Sequence, residues 1–572
     1  MTKSKRYVGI DLGTTNSTVS IAELTASQQV QAKTLQVQQY DGHNMTFNEI
    51  LPSTVYFDSD SIPYVGSYAK RMQCVEPEQV MSEVKRHIGD EVAWPINNEN
   101  YAPEHISSFV LKKLKKTVEE KFFGEEVDGA VITVPANFNF QKQAKTKIAA
   151  ELAGFNPDKI HMIPEPTAAL IDFLHEENEK APEHRALNLS TGPKTILVFD
   201  LGGGTCDVTI HRVTQGQDKR LRIEDLSISQ YTELGGMNFD KEVHNYMLRK
   251  LLKQQGVSPK DMMIKYGSEI SQVKAVLLDF AETAKMQFSR QVTAREEMLD
   301  ISYYDQPGSF DQLKFSQTLF GVPAELMCEL SITKQEMDQI IQPLLYKKHE
   351  NDHENIEHPI LNALSTAVMP LQAADIDHVF LVGGMTAFPA VRGRIYEIFG
   401  KKPTVATNPM YSVSRGAAIY HYYQDQEGIQ LAQVSEERIY PQNVYIRVLK
   451  GTPVALIKKG DSIPYDKTFE QGFFVTGNEE YVSRMELSLF AGESPDDLAQ
   501  QPLKNAVLEF ENPVRVGSPL VLRVEVDKER NLSVKAWLKH DESEMIHVNV
   551  GVRKYTEEEK ERINGKHMAM TK

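Results

Sequence analysis

A long-range internal repeat constrains this chain more than any other feature. Residues 7–21 (YVGIDLGTTNSTVSI) and residues 196–210 (ILVFDLGGGTCDVTI) each read as an apolar strand, Asp-Leu-Gly, a turn of small residues and a second strand. The turns are short and rich in Gly or Thr, as β-hairpins require. The two copies are too far apart in sequence for a solenoid repeat. The repeat therefore predicts two related α/β lobes, each opening with a hairpin.

Strands and helices alternate along the first three quarters of the chain. Residues 130–134 and 378–382 are apolar runs that end in turn-forming residues, and each is predicted to be a strand. This alternation predicts α/β lobes over residues 1–424. Apolar residues recur three and four positions apart in the predicted helices, which cover residues 104–122, 141–153, 239–254, 268–288 and 389–399.

The sequence pattern changes after residue 424. Residues 425–437 are mostly polar and are predicted to be a linker. Residues 438–555 contain short runs of alternating apolar and polar residues, which predict an antiparallel β-sandwich. Thr556 and Glu559 form a capping-box pattern that starts a short, truncated helical tail over residues 556–572. The strands predicted in the sandwich cover residues 444–448, 485–490, 520–526 and 532–538.

Charge and cysteine content exclude several classes of function. The 572 residues carry a formal net charge of −16, which argues against non-specific binding to nucleic acid or to anionic membranes. No apolar run approaches the ~18 residues of a membrane span, and the apolar stretch near the N-terminus is too short for a signal peptide. The chain has three widely spaced cysteines, so neither a disulfide framework nor a cysteine zinc site is expected. A cytoplasmic protein is predicted.

Glycine-rich turns at strand ends indicate phosphate binding, because glycine lets backbone N–H groups approach an anion closely. None of these turns has the Gly-Lys-Ser/Thr ending of a standard P-loop. Asp11, Asp200 and Asp207 on the two hairpins can hold hydrated magnesium, which prefers carboxylates, although turn capping is the alternative for each aspartate alone. The candidate phosphate-binding residues are Gly13, Thr14, Thr15, Asn16, Gly202, Gly203, Gly204, Thr205, Gly236, Gly383 and Gly384.

These motifs resemble the 70-kDa heat-shock chaperones of the DnaK type over nearly the whole chain. The resemblance implies an actin-like α/β ATPase domain of two lobes followed by an all-β peptide-binding sandwich. Sugar kinases and actins share the hairpins but not the other motifs or the following β part. The motifs that carry the resemblance are residues 9–17 (GIDLGTTNS), 131–136 (VITVPA), 165–169 (EPTAA), 200–205 (DLGGGT), 234–236 (LGG), 381–384 (LVGG), 408–409 (NP) and 416–418 (GAA).

The resemblance also implies roles for individual residues. Lys70 matches a catalytic lysine at the γ-phosphate, and Glu165 and Asp200 match carboxylates that organise magnesium and water, with Thr205 beside the phosphates. Pro135 matches a switch proline between the nucleotide and the outer domain. The nucleoside-contacting helix is matched by Glu282, Lys285 and Ser289. An adenine-stacking arginine of the family is replaced by Ala387, with Met286 on the facing helix, so apolar packing of the base is expected.

The implied ligands are ATP or ADP, magnesium and potassium. The implied partners are extended apolar polypeptides, bound in a pocket with Leu449 and Tyr481 as candidate residues, together with a J-domain co-chaperone and a nucleotide exchange factor. Three functions stay open: an ATP-driven chaperone, a nucleotide-gated binding module for one dedicated partner, and a small-molecule kinase. Two further features have alternatives. His349 and His353 either share a metal-binding helix face or lie in a solvated segment, and Cys206 is either a redox sensor or an inert strand residue.

Overall fold

The computed structural model describes most of the chain. No helix among the described residues is both long and apolar enough to cross a membrane. The described residues are 6–25, 29–127, 129–216, 221–230, 232–267, 269–349, 352–425, 432–434, 438–447, 452–492, 494–495, 501–503, 506–527, 532–539, 541–549 and 555–570.

Strands and helices alternate up to residue 425, and strands predominate after it. The helices are α1 (Ser67–Met72), α2 (Pro103–Lys121), α3 (Phe140–Leu152), α4 (Glu165–Glu179), α5 (Gly236–Gln255), α6 (Pro259–Lys265), α7 (Ile270–Leu299), α8 (Lys334–Leu345), α9 (Glu357–Ser365), α10 (Pro389–Phe399), α11 (Ser412–Asp425) and α12 (Glu557–Ala569). The strands up to residue 434 are β1 (Tyr7–Asp11), β2 (Asn16–Leu24), β3 (Val30–Thr34), β4 (Val37–Tyr40), β5 (Met45–Asn48), β6 (Leu51–Pro52), β7 (Val55–Phe57), β8 (Pro63–Val65), β9 (Val80–Met81), β10 (Trp94–Ile96), β11 (Glu99–Tyr101), β12 (Ala130–Val134), β13 (Ile160–Pro164), β14 (Lys194–Leu201), β15 (Cys206–Gln215), β16 (Leu221–Ile228), β17 (Lys314–Thr318), β18 (Glu329–Thr333), β19 (His378–Val382), β20 (Thr404–Val405) and β21 (Ala432–Val434). The later strands are β22 (Arg438–Ile439), β23 (Asn443–Ile446), β24 (Val454–Ile457), β25 (Ser462–Ile463), β26 (Tyr465–Phe474), β27 (Tyr481–Leu487), β28 (Leu489–Gly492), β29 (Gln501–Pro502), β30 (Ala506–Arg515), β31 (Pro519–Val526), β32 (Leu532–Leu538) and β33 (Asp541–Asn549).

The two largest sheets repeat one strand order. In the first, β13, β12 and β1 run parallel and β2 and β3 follow antiparallel. In the second, β20, β19 and β14 run parallel and β15 and β16 follow antiparallel. The repeated hairpins are thus β1–β2 and β14–β15, at the centre of each sheet, as the repeat predicts. We call the elements packed around the sheet that contains β1 the first lobe, and those packed around the sheet that contains β14 the second lobe.

Helix α7 extends well beyond its prediction. The apolar pattern predicted an end at residue 288, but the helix continues to Leu299 and ends at Asp300, whose φ is 50°. Residues 289–299 contain no Gly or Pro to stop a helix, so it ends only where the chain adopts a left-handed conformation. The predicted strands 130–134 and 378–382 and the helix 389–399 agree with β12, β19 and α10.

Two glycines allow close packing where α11 lies against the first lobe. A Cβ on Gly416 of α11 would lie 1.7 Å from the carbonyl oxygen of Ala168 in α4. A Cβ on Gly9 of β1 would lie 2.2 Å from the backbone nitrogen of Ala418. Strand β1, helix α11 and helix α4 therefore approach each other at backbone distance.

The C-terminal β part is built from antiparallel pairs, as the sequence predicts. Strands β26, β31, β32 and β33 form one sheet, and β24, β23, β28 and β29 form another. The run predicted as one strand over 485–490 is divided between β27 and β28, because the chain changes partner there, from β30 to β23. Apolar side chains of these sheets share one buried cluster, which also contains Phe140 from helix α3.

The predicted linker contains a strand. Residues 432–434 form β21, which pairs in parallel with β16 so that Leu221 lies opposite Ala432 and Ile223 opposite Val434. The following strand β22 brings Ile439 into a small buried cluster with Ala136 and Ile228. Residues 432–434 therefore add an edge strand to the second sheet, and the contacts of Ile439 place the start of the β part beside both lobes.

The C-terminal helix α12 lies against the first lobe. Ile563, His567 and Met570 are buried there; Ile563 and Met570 belong to the main core cluster of that lobe. The His567 ring meets the Phe109 ring edge-on at 4.9 Å, and its Nε2 lies 3.0 Å from Ser108 Oγ. The predicted capping box is confirmed, since the Thr556 side chain accepts from the Glu559 N–H.

Ion pairs border this contact. Arg562 lies 2.9 Å and Lys566 3.2 Å from Glu99 of β11, and Lys560 lies 3.1 Å from Glu151 of α3. The hydroxyl of Tyr555 donates to Glu104 at the start of α2. The contact thus combines a buried apolar stripe with a charged border, as helix docking sites usually do.

We expect acid to release α12 from the first lobe. Burial lowers the pKa of His567 from 6.5 to about 3, so the docked helix holds a neutral imidazole. The docking free energy associated with this group is fully present above pH 6.5. It decreases by about 1.4 kcal/mol per pH unit as the pH falls below 6.5 towards the folded pKa. Amide hydrogen exchange of residues 557–569 at pH 7.5 and 5.5, corrected for intrinsic rates, measures the change.

The variant His567→Leu is the matched control for this prediction. It keeps an apolar side chain in the site but removes the titrating group, so its exchange protection should vary less with pH. Equal pH dependence in the two proteins would contradict the assignment to His567.

Candidate functional site

The predicted glycine turns meet between the lobes. The β1–β2 turn and the β14–β15 turn face each other, and a Cβ on Gly203 would lie 1.8 Å from Thr15 Oγ1. Gly383 has a φ of 82°, and its Cβ would lie 2.5 Å from Asp200 Oδ1. Only glycine fits these two positions without displacement. The structure also brings Gly235 and Gly236 against the same turn, with Gly236 N–H donating to the carbonyl of Gly202 at 3.0 Å.

Four carboxylates lie at the base of this cleft, of which Glu165, Asp200 and Asp207 are buried and Asp11 is partly buried. Asp11 ends β1, Asp200 and Asp207 face each other across β14–β15, and Glu165 is the first residue of α4. Asn137 Nδ2 donates to Asp207 Oδ1 at 2.6 Å. Burial and the charge of Glu165 raise the pKa of Asp11 and of Asp207 to about 7, and they also raise the pKa of Asp200. The surroundings of these aspartates therefore disfavour their ionised form.

The cation of this cluster is Lys85, which sequence reasoning missed. Its ammonium group forms an ion pair with Glu165, and its side chain is 7% exposed. Burial alone would lower the pKa of Lys85, but the charges of Glu165 and Asp11 outweigh burial and raise it. The apolar residues Val84 and Ile88 near it are both buried. Their apolar character was the signal in the sequence that this turn packs into the protein.

Lys70 lies elsewhere. The structure places it on α1 with its Nζ 2.8–2.9 Å from both carboxylate oxygens of Glu282 on α7. This pair joins the two lobes, and the two side chains are 36% and 27% exposed. The side chain of Lys70 is engaged by Glu282 on the opposite lobe, and its contact with the γ-phosphate stays a prediction.

A second contact between the lobes comes from Arg86, also missed from the sequence. Its Nη2 donates to the carbonyl oxygen of Gly204 and to Asn238 Oδ1, each at 2.9 Å. Arg86 follows Lys85 directly, so one short turn of the first lobe supplies a cation to the carboxylates and another to the second phosphate turn.

Residues predicted to contact the nucleoside lie along one side of α7. Lys285 Nζ lies 2.8 Å from Asp240 and 3.2 Å from the carbonyl oxygen of Gly236, beside the turns. Ser289 Oγ donates to the carbonyl of Lys285 at 3.1 Å. Met286 on this helix is 44% exposed. Helix α7 and the Gly236 turn thus form one wall of the cleft.

The turn after β19 lies next to the Gly236 turn, since Met385 Sδ is 3.7 Å from the position of a Cβ on Gly236. A Cβ on Gly384 would lie 2.5 Å from Met410 Sδ, and Met385 is buried beside it. Ala387 ends the short helical turn that begins at Gly384. Ala387, which replaces the family's stacking arginine, therefore follows a turn that has the thioethers of Met385 and Met410 beside it. Thioethers suit apolar packing against a ring such as adenine.

The carboxylates fit hydrated magnesium. Four acidic side chains lie around one lysine, and a divalent cation would offset their negative charge. Among the described residues, no three His, Cys, Asp or Glu side chains form a cluster that could hold a metal directly. Magnesium that retains its waters does not need such a cluster.

Other predicted sites have different surroundings. His349 and His353 do not share a helix, because α8 ends at Leu345 and α9 begins at Glu357, so the metal-binding helix face is wrong. Cys206 is fully buried and burial raises its pKa, which disfavours the reactive thiolate. Tyr481 is 52% exposed at the start of β27, and Leu449 lies outside the described residues.

Comparisons with known proteins agree with this geometry. The family model described as Hsp70 protein matches residues 7–98 and 91–572. A chaperone protein DnaK from Thermosipho melanesiensis is 30% identical over 580 residues, covering 98% of this chain and 86% of the relative. A chaperone protein DnaK from Thermosipho africanus is 32% identical over 497 residues, covering 86% of this chain and 71% of the relative. The chain belongs to the Hsp70 family of ATP-hydrolysing chaperones.

Proposed function

We propose that ATP hydrolysis by residues 1–424 controls the binding of extended apolar polypeptides by residues 438–555. Residues 425–437 connect these domains, and residues 556–572 form the helical tail. The observation that carries the proposal is the pairing of β21 with β16. It joins the connection between the domains to the sheet that bears Asp200 and Asp207.

We assign to Lys85 the role at the γ-phosphate that the family resemblance implies for Lys70. Its buried ammonium lies among the carboxylates, where positive charge would stabilise the terminal phosphate in the transition state. Glu165 holds Lys85 in place and, with Asp200, offers oxygens that orient the attacking water. The backbone N–H groups of the two glycine turns would bind the phosphate oxygens, with the hydroxyls of Thr14, Thr15 and Thr205 beside them.

Magnesium would supply positive charge to the phosphate oxygens, held through water by Asp11, Asp200 and Asp207. Potassium would share these carboxylates. The nucleoside would lie between α7 and the turn after β19. Pro135 would transmit the nucleotide state, since its neighbour Ala136 contacts Ile228 and Ile439 at the junction of the domains. A J-domain co-chaperone and an exchange factor are proposed as further partners.

Single-turnover ATP hydrolysis with magnesium and potassium tests this function, with and without an unfolded apolar peptide. Peptide should accelerate hydrolysis several-fold, and the Lys85→Met variant should lower both rates about 100- to 1,000-fold. An equal hydrolysis rate with and without peptide would contradict coupling between ATP hydrolysis and peptide binding. It would favour a binding module for one dedicated partner. Failure to bind nucleotide would contradict both functions. The family match covers the β part, which argues against the small-molecule kinase.

The pair Lys70–Glu282 should delay nucleotide release. Because both side chains are partly exposed, the pair contributes about 0.2–1 kcal/mol, so Lys70→Met should release a fluorescent ADP analogue up to about five times faster. Glu282→Gln should have the same effect, and the double variant should add little, as stopped-flow release would show. Unchanged release in both single variants would contradict a role in closing the cleft.

A further inference from the structure

A chain of three buried polar side chains crosses the second sheet outside the site described above. His211 Nε2 lies 2.8 Å from Thr209 Oγ1, and His211 Nδ1 lies 3.0 Å from Asp225 Oδ1. Thr209 and His211 are 1% exposed and Asp225 is 8% exposed. Because a carboxylate only accepts hydrogen bonds, His211 Nδ1–H must donate to Asp225, and Nε2 is left to accept from the Thr209 hydroxyl when the ring is neutral.

The order Thr–His–Asp also occurs in hydrolase triads, but burial excludes that use here. Thr209 Oγ1 would have to reach a substrate carbonyl, and its side chain is enclosed in the sheet. Apolar residues usually fill such positions, since buried polar groups need complete hydrogen bonding. We therefore expect the three residues to fix the positions of β15 and β16, the strands on which they lie.

Thr209, at one end of this row of hydrogen-bonded side chains, lies beside the catalytic carboxylates. Thr209 is two residues after Asp207 on β15, so both side chains point to the same face of the sheet. Asp207 is held from the first lobe by Asn137, at 2.6 Å. A displacement of Asp207 along β15 would therefore reach Thr209 directly.

The other end lies under the connection between the domains. Asp225 lies on β16. Residues 221–223, before it, pair with β21, and Ile228, after it, packs on Ile439. A β-bulge at this point leaves Leu226 without a partner on β15 and puts Asp225 opposite His211. A bulge locally disrupts the hydrogen-bond ladder between two strands, and the hydrogen bond from His211 to Asp225 joins the strands at this point.

We infer that His211 is a positioning residue that couples the carboxylate face of β15 to the docking of the linker strand β21. The hydrogen bond from His211 to Asp225 makes β15 and β16 move as one body across the bulge, and the hydrogen bond from Thr209 holds the His211 ring in place on β15. A shift of Asp207 is then passed to the edge that holds β21 instead of being absorbed at Leu226. This inference rests on the proposed control of the β part by ATP.

The full-length double variant His211→Leu/Asp225→Leu tests the inference. It removes the hydrogen bonds but fills the space with apolar side chains, so no buried charge is left without its partner and the fold should persist. We expect single-turnover hydrolysis without peptide within about two-fold of wild type. We also expect ATP-induced amide protection of residues 432–434 to fall at least ten-fold. A purely structural role would leave that protection intact.

Two further variants keep the test decisive if the double variant does not fold. Thr209→Val removes only the hydroxyl, and should also lose ATP-induced protection of residues 432–434. Asp225→Asn keeps an oxygen that accepts from Nδ1–H, and should retain most of it. Protection by ATP in Thr209→Val equal to that in wild type would overturn the inference alone. Absence of ATP-induced protection in wild type would overturn the proposed coupling and the inference together.

Discussion

Replacing Lys85 by Met should lower single-turnover ATP hydrolysis about 100- to 1,000-fold. Losing one preorganised group that stabilises transition-state charge typically has an effect of this size. Here the lysine is also the cation nearest to Glu165 and Asp11, so its removal leaves their charge uncompensated. Rapid mixing of enzyme with radiolabelled ATP and magnesium, at enzyme concentrations above the nucleotide, measures the chemical step.

Lys70→Met is the matched control, because it makes the same substitution at another lysine of the cleft. Its hydrolysis rate should stay within a few-fold of wild type, since Lys70 is engaged by Glu282. A 100-fold loss in Lys70→Met with little change in Lys85→Met would reverse the assignment. Nucleotide binding by each variant must be measured separately, so that lost affinity is not mistaken for lost catalysis.

Substituting Gly416 by Ala should destabilise the first lobe by more than about 4 kcal/mol, which exceeds the usual effect of overpacking. The added Cβ would lie 1.7 Å from a backbone oxygen of α4, and backbone cannot rotate away as a side chain can. Helix α11 would have to separate from α4 and from β1. We expect a large loss of melting temperature or no soluble protein, as thermal unfolding followed by circular dichroism would show.

Gly565→Ala is the control for this substitution. Gly565 lies inside α12 with no neighbouring atom within 4 Å of an added Cβ. Alanine is favoured over glycine in a helix by about 0.5–1 kcal/mol, so this variant should be slightly more stable than wild type. A similar loss of stability in both variants would show that the contact of α11 with α4 is not the cause.

The sequence predicts well where the information is local. The repeat identifies the hairpins β1–β2 and β14–β15 because strand, turn and strand follow one another within fifteen residues. The capping box at Thr556 is likewise a contact between near neighbours. The common strand order of the two sheets follows from the repetition of these units.

Contacts between residues that are far apart in the sequence could not be predicted from it. Lys85 meets a carboxylate 80 residues away, whereas Lys70 meets one 212 residues away. Both are lysines followed by arginine, so neither pattern reveals the partner. Strand β21 was missed because a three-residue strand in a polar segment is defined by its pairing with β16. The spacing of Ile563, His567 and Met570 did contain a signal for burial, but not for the surface that buries them.

The C-terminal helix has a consequence for how the β part is retained. Strand β21 is fixed to the second lobe and α12 to the first, so the β part between them is a closed loop with an anchor at each end. If one anchor detaches, the other keeps it at a local concentration in the millimolar range, as for two sites joined by a short tether. Recapture is then intramolecular, and its rate does not depend on how much protein is present.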